Sequence, residues 1–285
     1  MSLAGVTVIW GATFVLVKAA LDQVSTPLFL ALRFSVAAAA LTIIYRRGVR
    51  RNGIAPGLLA GGLLFVAYFF QTKGLEYTTA SKSAFLTGLS IPMVPLASSA
   101  VYRSKPRLFE VAGVLTASAG MAMMTLPSGR FEMSRGDVLS FLCAVTFALH
   151  IVVVGHFSPI VGFQSIAVLQ VAMAAVLGVV SFPFTEPVRF AVSGTVIAAV
   201  LVTGLLATAL AFTTMAWAQQ YTSATRAALI FALEPVVAWV TSWFSMGETL
   251  SLRAKVGAAV ILAGVLLVEL KRGEPETKVS AITSN

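Results

Sequence analysis

The chain of 285 residues is 58% hydrophobic and only 11% charged, with a mean hydropathy of +0.91. A soluble domain cannot bury that much apolar surface, so the composition excludes an ordinary soluble protein and predicts one built from membrane spans. The net charge of +9 comes from bases that lie between apolar runs, which excludes a nucleic-acid-binding face and indicates positive-inside orientation.

The apolar runs predict about ten membrane spans. A span needs roughly 20 mostly apolar residues to cross the hydrocarbon core. We predict helices over about 3–21, 27–45, 56–73, 79–102, 108–126, 137–154, 162–182, 193–219, 223–246 and 252–270. The connections are short, so neighbouring helices run antiparallel. Cys143 is the one cysteine of the chain, which excludes an intrachain disulfide.

The second half of the chain is a diverged copy of the first. A shift of 144 positions superimposes Tyr77 on Tyr221, Ala80 on Ala224, Lys82 on Arg226, Gly113 on Gly257 and Gly120 on Gly264, and a slip of one residue then sets Pro92 on Pro235. Five helices per repeat is an odd number, so the second repeat enters the membrane in the opposite sense. We predict an all-α integral membrane protein with two inverted repeats, residues 1–127 and 137–271, an inter-repeat loop at 128–136 and a polar, disordered tail at 272–285.

Three prolines inside predicted spans are candidate hinges. Pro92, Pro95 and Pro235 each remove an intrahelical hydrogen bond, and Pro92 and Pro235 occupy related positions in the two repeats. The prediction is that the carbonyls of Gly88, Ile91 and Phe231 lose their helical partners and that these helices can bend. Such bends serve either as gates for alternating access or as fixed bends needed for packing.

Ionisable side chains inside spans are costly and are therefore functional candidates. Lys82 and Arg226, in first turns of their helices, either extend to the interface or face a cavity mouth. Glu234 is predicted to bind a substrate ammonium or exchange a proton, or else to be satisfied by neighbouring hydroxyls. His150 is either a polar cavity residue or a neutral, hydrogen-bonded histidine. Arg33 is predicted to be an interfacial or interhelical structural cation, with a substrate role as the alternative.

Several short motifs occur in a fixed order along the spans. They are WGATF at 10–14, LRF at 32–34, ATRAAL at 224–229 with EP at 234–235, and GE at 247–248 followed by Gly257 and Gly264. In this order the chain resembles the EamA-type drug/metabolite transporters, and among them the aromatic amino-acid exporters of the YddG type. The resemblance implies a ten-helix bundle around a central cavity lined by helices 1, 3, 4, 6, 8 and 9. It also implies export of small metabolites, often amino acids, across a bacterial inner membrane.

Aromatic residues on those helices supply ring faces for an aromatic or amphiphilic substrate, and polar neighbours would orient it. Each ring has the alternative of packing between helices or facing lipid. The predicted substrate-binding residues are Trp10, Thr13, Tyr68, Gln71, Lys82, Phe85, His150, Trp217, Arg226 and Glu234.

The sequence therefore predicts a secondary transporter. A Walker A motif is absent, so ATP does not drive transport from within this chain. An integral membrane enzyme and a non-selective pore are the alternatives, although no catalytic motif or repeated ring of like residues supports either. We expect a small-molecule substrate and the lipid bilayer as partners, a monomer, no nucleic acid, no metal and no cofactor. Nine bases against six in the two sets of loops place both termini in the cytoplasm.

Overall fold

The computed structural model describes residues 2–78, 80–102, 107–125, 134–185, 187–234, 236–237, 240 and 251–270. Most of the described residues are helical, which confirms the all-α class. An isolated antiparallel β-bridge joins Val24 to Phe190. The α-helices are α1 (Ser2–Leu21), α2 (Thr26–Tyr45), α3 (Ile54–Gly74), α4 (Ala80–Gly88), α5 (Ser90–Tyr102), α6 (Leu108–Thr125), α7 (Arg135–Val161), α8 (Phe163–Thr185), α9 (Gly194–Gly204), α10 (Ala211–Ala218), α11 (Ala224–Phe231) and α12 (Leu252–Leu270). A π-helical segment, Leu205–Leu210, joins α9 to α10.

Local sequence signals set several helix ends. Pro27 stands in the first turn of α2, where its missing N–H would have no helical partner. Ser134 and Asp137 form a capping box at the start of α7, since each side chain accepts a hydrogen bond from the backbone N–H of the other. Gly162 ends α7 with φ of 87°, a value that glycine adopts without steric cost. As a result α7 runs past its predicted end at 154, and α8 follows after one residue.

Six helical segments within the described residues are long and apolar enough to cross a membrane. They are Thr26–Gly48, Arg51–Gly74, Phe85–Tyr102, Arg135–Val161, Phe163–Thr185 and Gly194–Ala218, and Ser2–Thr13 and Leu108–Met124 are shorter apolar helices. The chain is therefore a multi-pass membrane protein. The predicted number of about ten spans goes beyond these six. The tail at 272–285 and residues 128–133 of the inter-repeat loop lie outside the described residues.

Two predicted helices are interrupted. The helix predicted over 79–102 is divided, because α4 ends at Gly88 and α5 begins at Ser90. Pro92, in the first turn of α5, has no N–H to donate to the Gly88 carbonyl. The helix predicted over 223–246 has its first segment end at Phe231, four residues before Pro235. Pro235 itself lies outside the described residues. Both interruptions fall at the carbonyl that a matched proline leaves without a helical partner.

The helices pack around one large core and one smaller core. In the large core α2 packs against α8, α3 against α7 and α8, and α1 against α9 and α10. α6 and α12 pack along each other and form the smaller core with residues of α5 and α11, among them Ile91, Met121, Leu229 and Ile261. α5 also packs against α7 and α11, so it links the two cores.

Four glycines bring α6 and α12 into backbone contact, and we call them the glycine seam: Gly113, Gly120, Gly257 and Gly264. A Cβ built on Gly120 would lie 2.6 Å from the Gly257 carbonyl oxygen, and one on Gly257 would lie 2.6 Å from the Gly120 oxygen. A Cβ on Gly113 would lie 2.9 Å from the Gly264 oxygen, and one on Gly264 would lie 2.7 Å from the Gly113 oxygen. No side chain larger than hydrogen fits at this spacing.

The connections at both ends of α2 are tied to α8 or its following loop. At one end the Ser25 N–H donates to the Arg189 carbonyl (2.9 Å), beside the isolated β-bridge. At the other end the Arg50 N–H donates to the Ser165 hydroxyl (3.0 Å). α2 and α8 are therefore held together along their length and at both ends.

Candidate functional site

Arg33 carries a charge deep inside the helical bundle. It lies on α2 and is only 5% exposed. Its Nε donates to the Thr208 hydroxyl (2.7 Å), and its Nη2 donates to the Tyr68 hydroxyl (3.1 Å) and the Ala207 carbonyl (3.4 Å). All three acceptors are neutral. Among the described residues, then, no carboxylate pairs with this guanidinium.

The π-helical segment supplies two of these acceptors. The Ala207 carbonyl also accepts a hydrogen bond from Trp10 Nε1 (2.9 Å), so α1 and α2 converge on one backbone oxygen. A π-turn widens the helix locally, and such turns are frequent at functional sites. Thr208 is fully buried beside it. The segment therefore presents a small polar surface in the middle of an apolar span.

Aromatic rings enclose this polar surface. The guanidinium carbon of Arg33 lies 4.4 Å from the ring centroid of Tyr68, within cation–π distance. The edge-on neighbours of Tyr68 are Phe34 (5.5 Å), Phe147 (5.5 Å) and Phe212 (6.1 Å). Trp10 packs against Phe212 at 5.3 Å. We call Trp10, Arg33, Tyr68, Thr208 and Phe212 the central cluster.

His150 and Gln170 form a second buried polar pair beside the central cluster. His150 Nε2 and Gln170 Oε1 are 2.8 Å apart, and the imidazole packs edge-on against Phe212 at 5.7 Å. Both residues are fully buried. His150 Nδ1 and Gln170 Nε2 have no hydrogen-bond partner within the described part of the chain. His150 is therefore hydrogen-bonded to Gln170, which is one of the two alternatives of the sequence analysis. His150 Nδ1 and Gln170 Nε2 are left for a further group.

Glu234 lies just beyond the end of α11 and is half-buried. Its carboxylate interacts electrostatically with the Tyr68 hydroxyl and the Cys143 thiol, which places it on the side of the central cluster. Across the described ranges it forms no ion pair and no hydrogen bond. Its roles in binding a substrate ammonium or exchanging a proton stay predictions.

Arg226 has a partner that the sequence analysis missed. Its Nε lies 3.9 Å from Oε1 of Glu110, and both side chains are mostly buried. The ion pair connects α11 in the second half of the chain to α6 in the first. The ion pair does not decide between the interface and a cavity mouth, so the site role of Arg226 stays a prediction. The side chain of Lys82, its repeat-related residue, lies outside the described part of the structure.

Three further predicted residues lie at varying distances from the central cluster. Thr13 is adjacent to it, because its hydroxyl donates to the Trp10 carbonyl (3.0 Å). Gln71 is half-buried in the last turn of α3. Phe85 packs against the smaller core instead. The structure therefore brings Trp10, Thr13, Tyr68 and His150 together and leaves Phe85 apart.

Trp217 and the prolines complete the predicted set. Trp217 is 43% exposed and packs on Tyr221 at 5.5 Å, away from the central cluster. Pro92 lies in the first turn of α5 and Pro95 inside that helix. Site membership of Trp217 and the hinge role of the prolines stay predictions.

Four residues of this region are missing from the predicted substrate-binding residues: Arg33, Gln170, Thr208 and Phe212. The available signal was the position of Arg33 within the predicted span 27–45, since an ionisable residue inside a span is a functional candidate. Among the described residues, no group of three or more His, Cys, Asp or Glu side chains is close enough to hold a metal ion. What the region can do chemically is bind a polar, aromatic or charged small molecule.

Comparisons with known proteins agree with this architecture. Residues 1–126 and 134–270 match the EamA-like transporter family. An uncharacterized transporter of Archaeoglobus fulgidus is 33% identical over 271 residues, which cover 95% of this chain and 85% of that protein. The uncharacterized transporter YyaM of Bacillus subtilis is 28% identical over 286 residues, covering 93% of this chain and 91% of the relative.

A solved crystal structure has the same fold. It superimposes with a TM-score of 0.78 over 94% of this chain and 95% of the other, at 22% sequence identity.

Proposed function

This chain belongs to the EamA-like transporter family, and from that premise we propose that it exports small organic metabolites across a bacterial inner membrane. Amino acids with aromatic or hydrophobic side chains are the favoured cargo. Transport would be secondary, by alternating access between two inverted repeats.

The composition of the central cluster is the observation that carries the cargo proposal. A ligand site needs apolar and aromatic walls together with a few polar groups that fix orientation. Trp10, Tyr68 and Phe212 supply aromatic faces, and Arg33 supplies a positive charge that no carboxylate of the described residues pairs with. Glu234 adds a carboxylate on the side of Tyr68. Rings flanked by both signs of charge match a zwitterion with an aromatic side chain.

The glycine seam supports the proposed inverted repeat. Gly113 corresponds to Gly257 and Gly120 to Gly264 in the sequence repeat. In space Gly113 faces Gly264 and Gly120 faces Gly257. Exchanging the two halves turns one of these contacts into the other, which is the pattern of a two-fold relation between antiparallel helices.

The helix contacts follow the same exchange. α2 packs against α8, and α6 against α12, so equivalent helices of the two halves meet. The contact of α3 with α7 has its counterpart in the contact of α9 and α10 with α1. Halves related in this way can exchange conformations, which is how inverted repeats achieve alternating access. The interruptions before Pro92 and Pro235 are the proposed gates.

The test is flux through proteoliposomes containing the purified chain. Labelled aromatic, aliphatic and charged amino acids are compared with and without a pH gradient. We expect selective flux of aromatic amino acids, and a loss of about tenfold or more in Trp10→Ala, because both a ring contact and a hydrogen bond disappear. Phe184→Ala is the matched control, since Phe184 is 86% exposed at the end of α8.

Two outcomes refine or reject the proposal. Glu234→Gln tests whether a proton gradient drives transport. If it does, the variant should lose gradient-driven accumulation and retain counterflow. Absence of flux for every amino acid would reject the cargo class.

A further inference from the structure

Arg33 has an incomplete set of partners. A charge this deeply buried is costly unless it is paired and hydrogen-bonded. The three acceptors of Arg33 are a threonine hydroxyl, a tyrosine hydroxyl and a backbone carbonyl. None carries a negative charge. The hydrogen bonds satisfy the Nε and Nη2 edge, and the charge itself stays without a counter-ion among the described residues.

The other edge of the guanidinium is free. Nη1 makes no hydrogen bond within the described ranges. It is also not one of the fully buried polar atoms without a partner, so some of its surface is accessible. Arg33 as a whole is 5% exposed. Both N–H donors of Nη2 are used, by Tyr68 and Ala207, so the donors left for a ligand are the two N–H groups of Nη1, which can form a charge-assisted hydrogen bond with a carboxylate. Thr208 and Tyr68 already hold the guanidinium in its orientation.

Tyr68 lies near both Arg33 and Glu234. Its hydroxyl accepts from Arg33 and interacts electrostatically with Glu234. Arg33 and Glu234 form no ion pair with each other or with another described residue. A ligand that carries both a carboxylate and an ammonium would supply the missing partner of each side chain.

We propose that Arg33 binds the carboxylate of the transported substrate, with Tyr68 as the ring against which the substrate lies. The proposal rests on the proposed export of amino acids and names the residue that selects for the carboxylate. Glu234 then faces the substrate ammonium. A cargo without a carboxylate is a poor ligand, whatever its side chain.

The alternative is that Arg33 only holds the π-helical segment in place. A structural role predicts that substitution weakens every ligand alike. A carboxylate site predicts that substitution weakens only ligands with a carboxylate. The two roles are therefore distinguished by a pair of probes with the same ring and different charges.

The experiment measures ligand affinity of the full-length purified chain by thermal stabilisation. The probes are indole-3-propionate, which has the carboxylate alone, its neutral amide indole-3-propionamide, and tryptamine, which has the ammonium alone. In the unmodified protein we expect indole-3-propionate to bind about tenfold or more tighter than the amide, since the amide lacks the negative charge that makes the hydrogen bond from Nη1 charge-assisted. Equal binding of these two probes would overturn the proposal without any variant.

Arg33→Gln is the direct variant. It should weaken indole-3-propionate by about tenfold or more and change tryptamine by less than about twofold. Thr203→Val is the matched control in the same span, because the Thr203 hydroxyl donates only to the Ala199 carbonyl of its own helix, so the preference for the carboxylate over the amide should persist. If Arg33→Gln does not fold, Arg33→Lys replaces it, with a smaller loss that is still confined to indole-3-propionate. If the substitution weakened indole-3-propionate and tryptamine equally, Arg33 would have a structural role and the proposal would be overturned.

The result is separable from the proposed function. Amino-acid flux in liposomes together with an unchanged carboxylate preference in Arg33→Gln overturns this proposal alone. Carboxylate preference that depends on Arg33, without amino-acid flux, supports the anion site and rejects amino acids as the cargo.

Discussion

The glycine seam and the central cluster both join the first half of the chain to the second. The seam does so by backbone contact, and the cluster by side-chain hydrogen bonds and ring contacts. In the seam, Gly113 meets Gly264, the repeat-related residue of Gly120, and Gly120 meets Gly257, the repeat-related residue of Gly113, so that backbone touches backbone. In the central cluster, Arg33 of the first half donates to Thr208 of the second, and neither half repeats the other's side chain.

The difference separates what a duplicated sequence preserves from what it changes. The seam keeps glycine at all four repeat-related positions, because the two backbones are too close there for any side chain. Contacts away from it are free to diverge. Tyr68 shows this, since the residue 144 positions later is Phe212, which lacks the hydroxyl that accepts from Arg33. Polar chemistry has accumulated where the halves differ.

The largest expected effect is in the seam. Gly120→Val would place a branched side chain where a Cβ already lies 2.6 Å from both the Gly257 oxygen and the Ile261 nitrogen. We expect the free energy of unfolding in detergent to fall by about 3 kcal/mol, the upper part of the range for overpacked interiors. Gly62→Val on α3 is the matched control, because nothing lies within 4 Å of its Cβ position. A seam variant as stable as the control would show that α6 and α12 separate easily.

A smaller effect is expected in the central cluster. Thr208→Val removes the acceptor of Arg33 Nε and leaves a buried donor unsatisfied. The expected loss in the free energy of unfolding is about 1–2 kcal/mol, near the upper limit measured for interhelical hydrogen bonds in membranes. Thr203→Val is the control in the same span, since the Thr203 hydroxyl donates only to the Ala199 carbonyl of its own helix (2.6 Å). Equal losses in the two variants would show that the hydrogen bond between Arg33 and Thr208 stabilises the fold no more than the intrahelical bond of Thr203.

The smallest effect compares two tryptophans. Trp10→Phe keeps an aromatic ring and loses the hydrogen bond to Ala207, so unfolding should become easier by about 0.6 kcal/mol, the average for such bonds in membranes. Trp217→Phe removes no hydrogen bond within the described contacts, and its side chain is half-exposed. We expect no measurable change there. The comparison is made by parallel thermal unfolding, and a greater loss for Trp217 would contradict this ranking.

Most of the fold could be predicted from composition and from the residues that begin and end helices. Apolar runs between charged loops predict the helices, and Pro27 and Ser134 lie where helices begin. The interruption at Gly88 is predicted by Pro92, although a span of apolar residues reads as continuous until the missing hydrogen bond is counted. The extension of α7 to Val161 was not predictable from hydropathy, because Gly162 ends it by backbone conformation alone.

The site was less accessible, because its polar contacts join residues far apart in sequence. The π-helical segment has the sequence LLATAL, which contains no glycine or proline to mark it. Arg33 lies in the second turn from the start of α2, a position typical of an interfacial cation. It is buried because α3 and the π-helical segment pack over it, and the chain separation of 175 residues to Thr208 hides that contact.

The double attachment of α2 to α8 has a practical consequence for spectroscopy. A pair of helices fixed at both ends by the Ser25 and Arg50 hydrogen bonds is an internal reference frame. Spin labels or fluorophores on α2 and α8 should report one narrow, ligand-independent distance. Labels on α5 or α11, each measured against that frame, would then convert any motion at the interrupted helices into a displacement along a known axis.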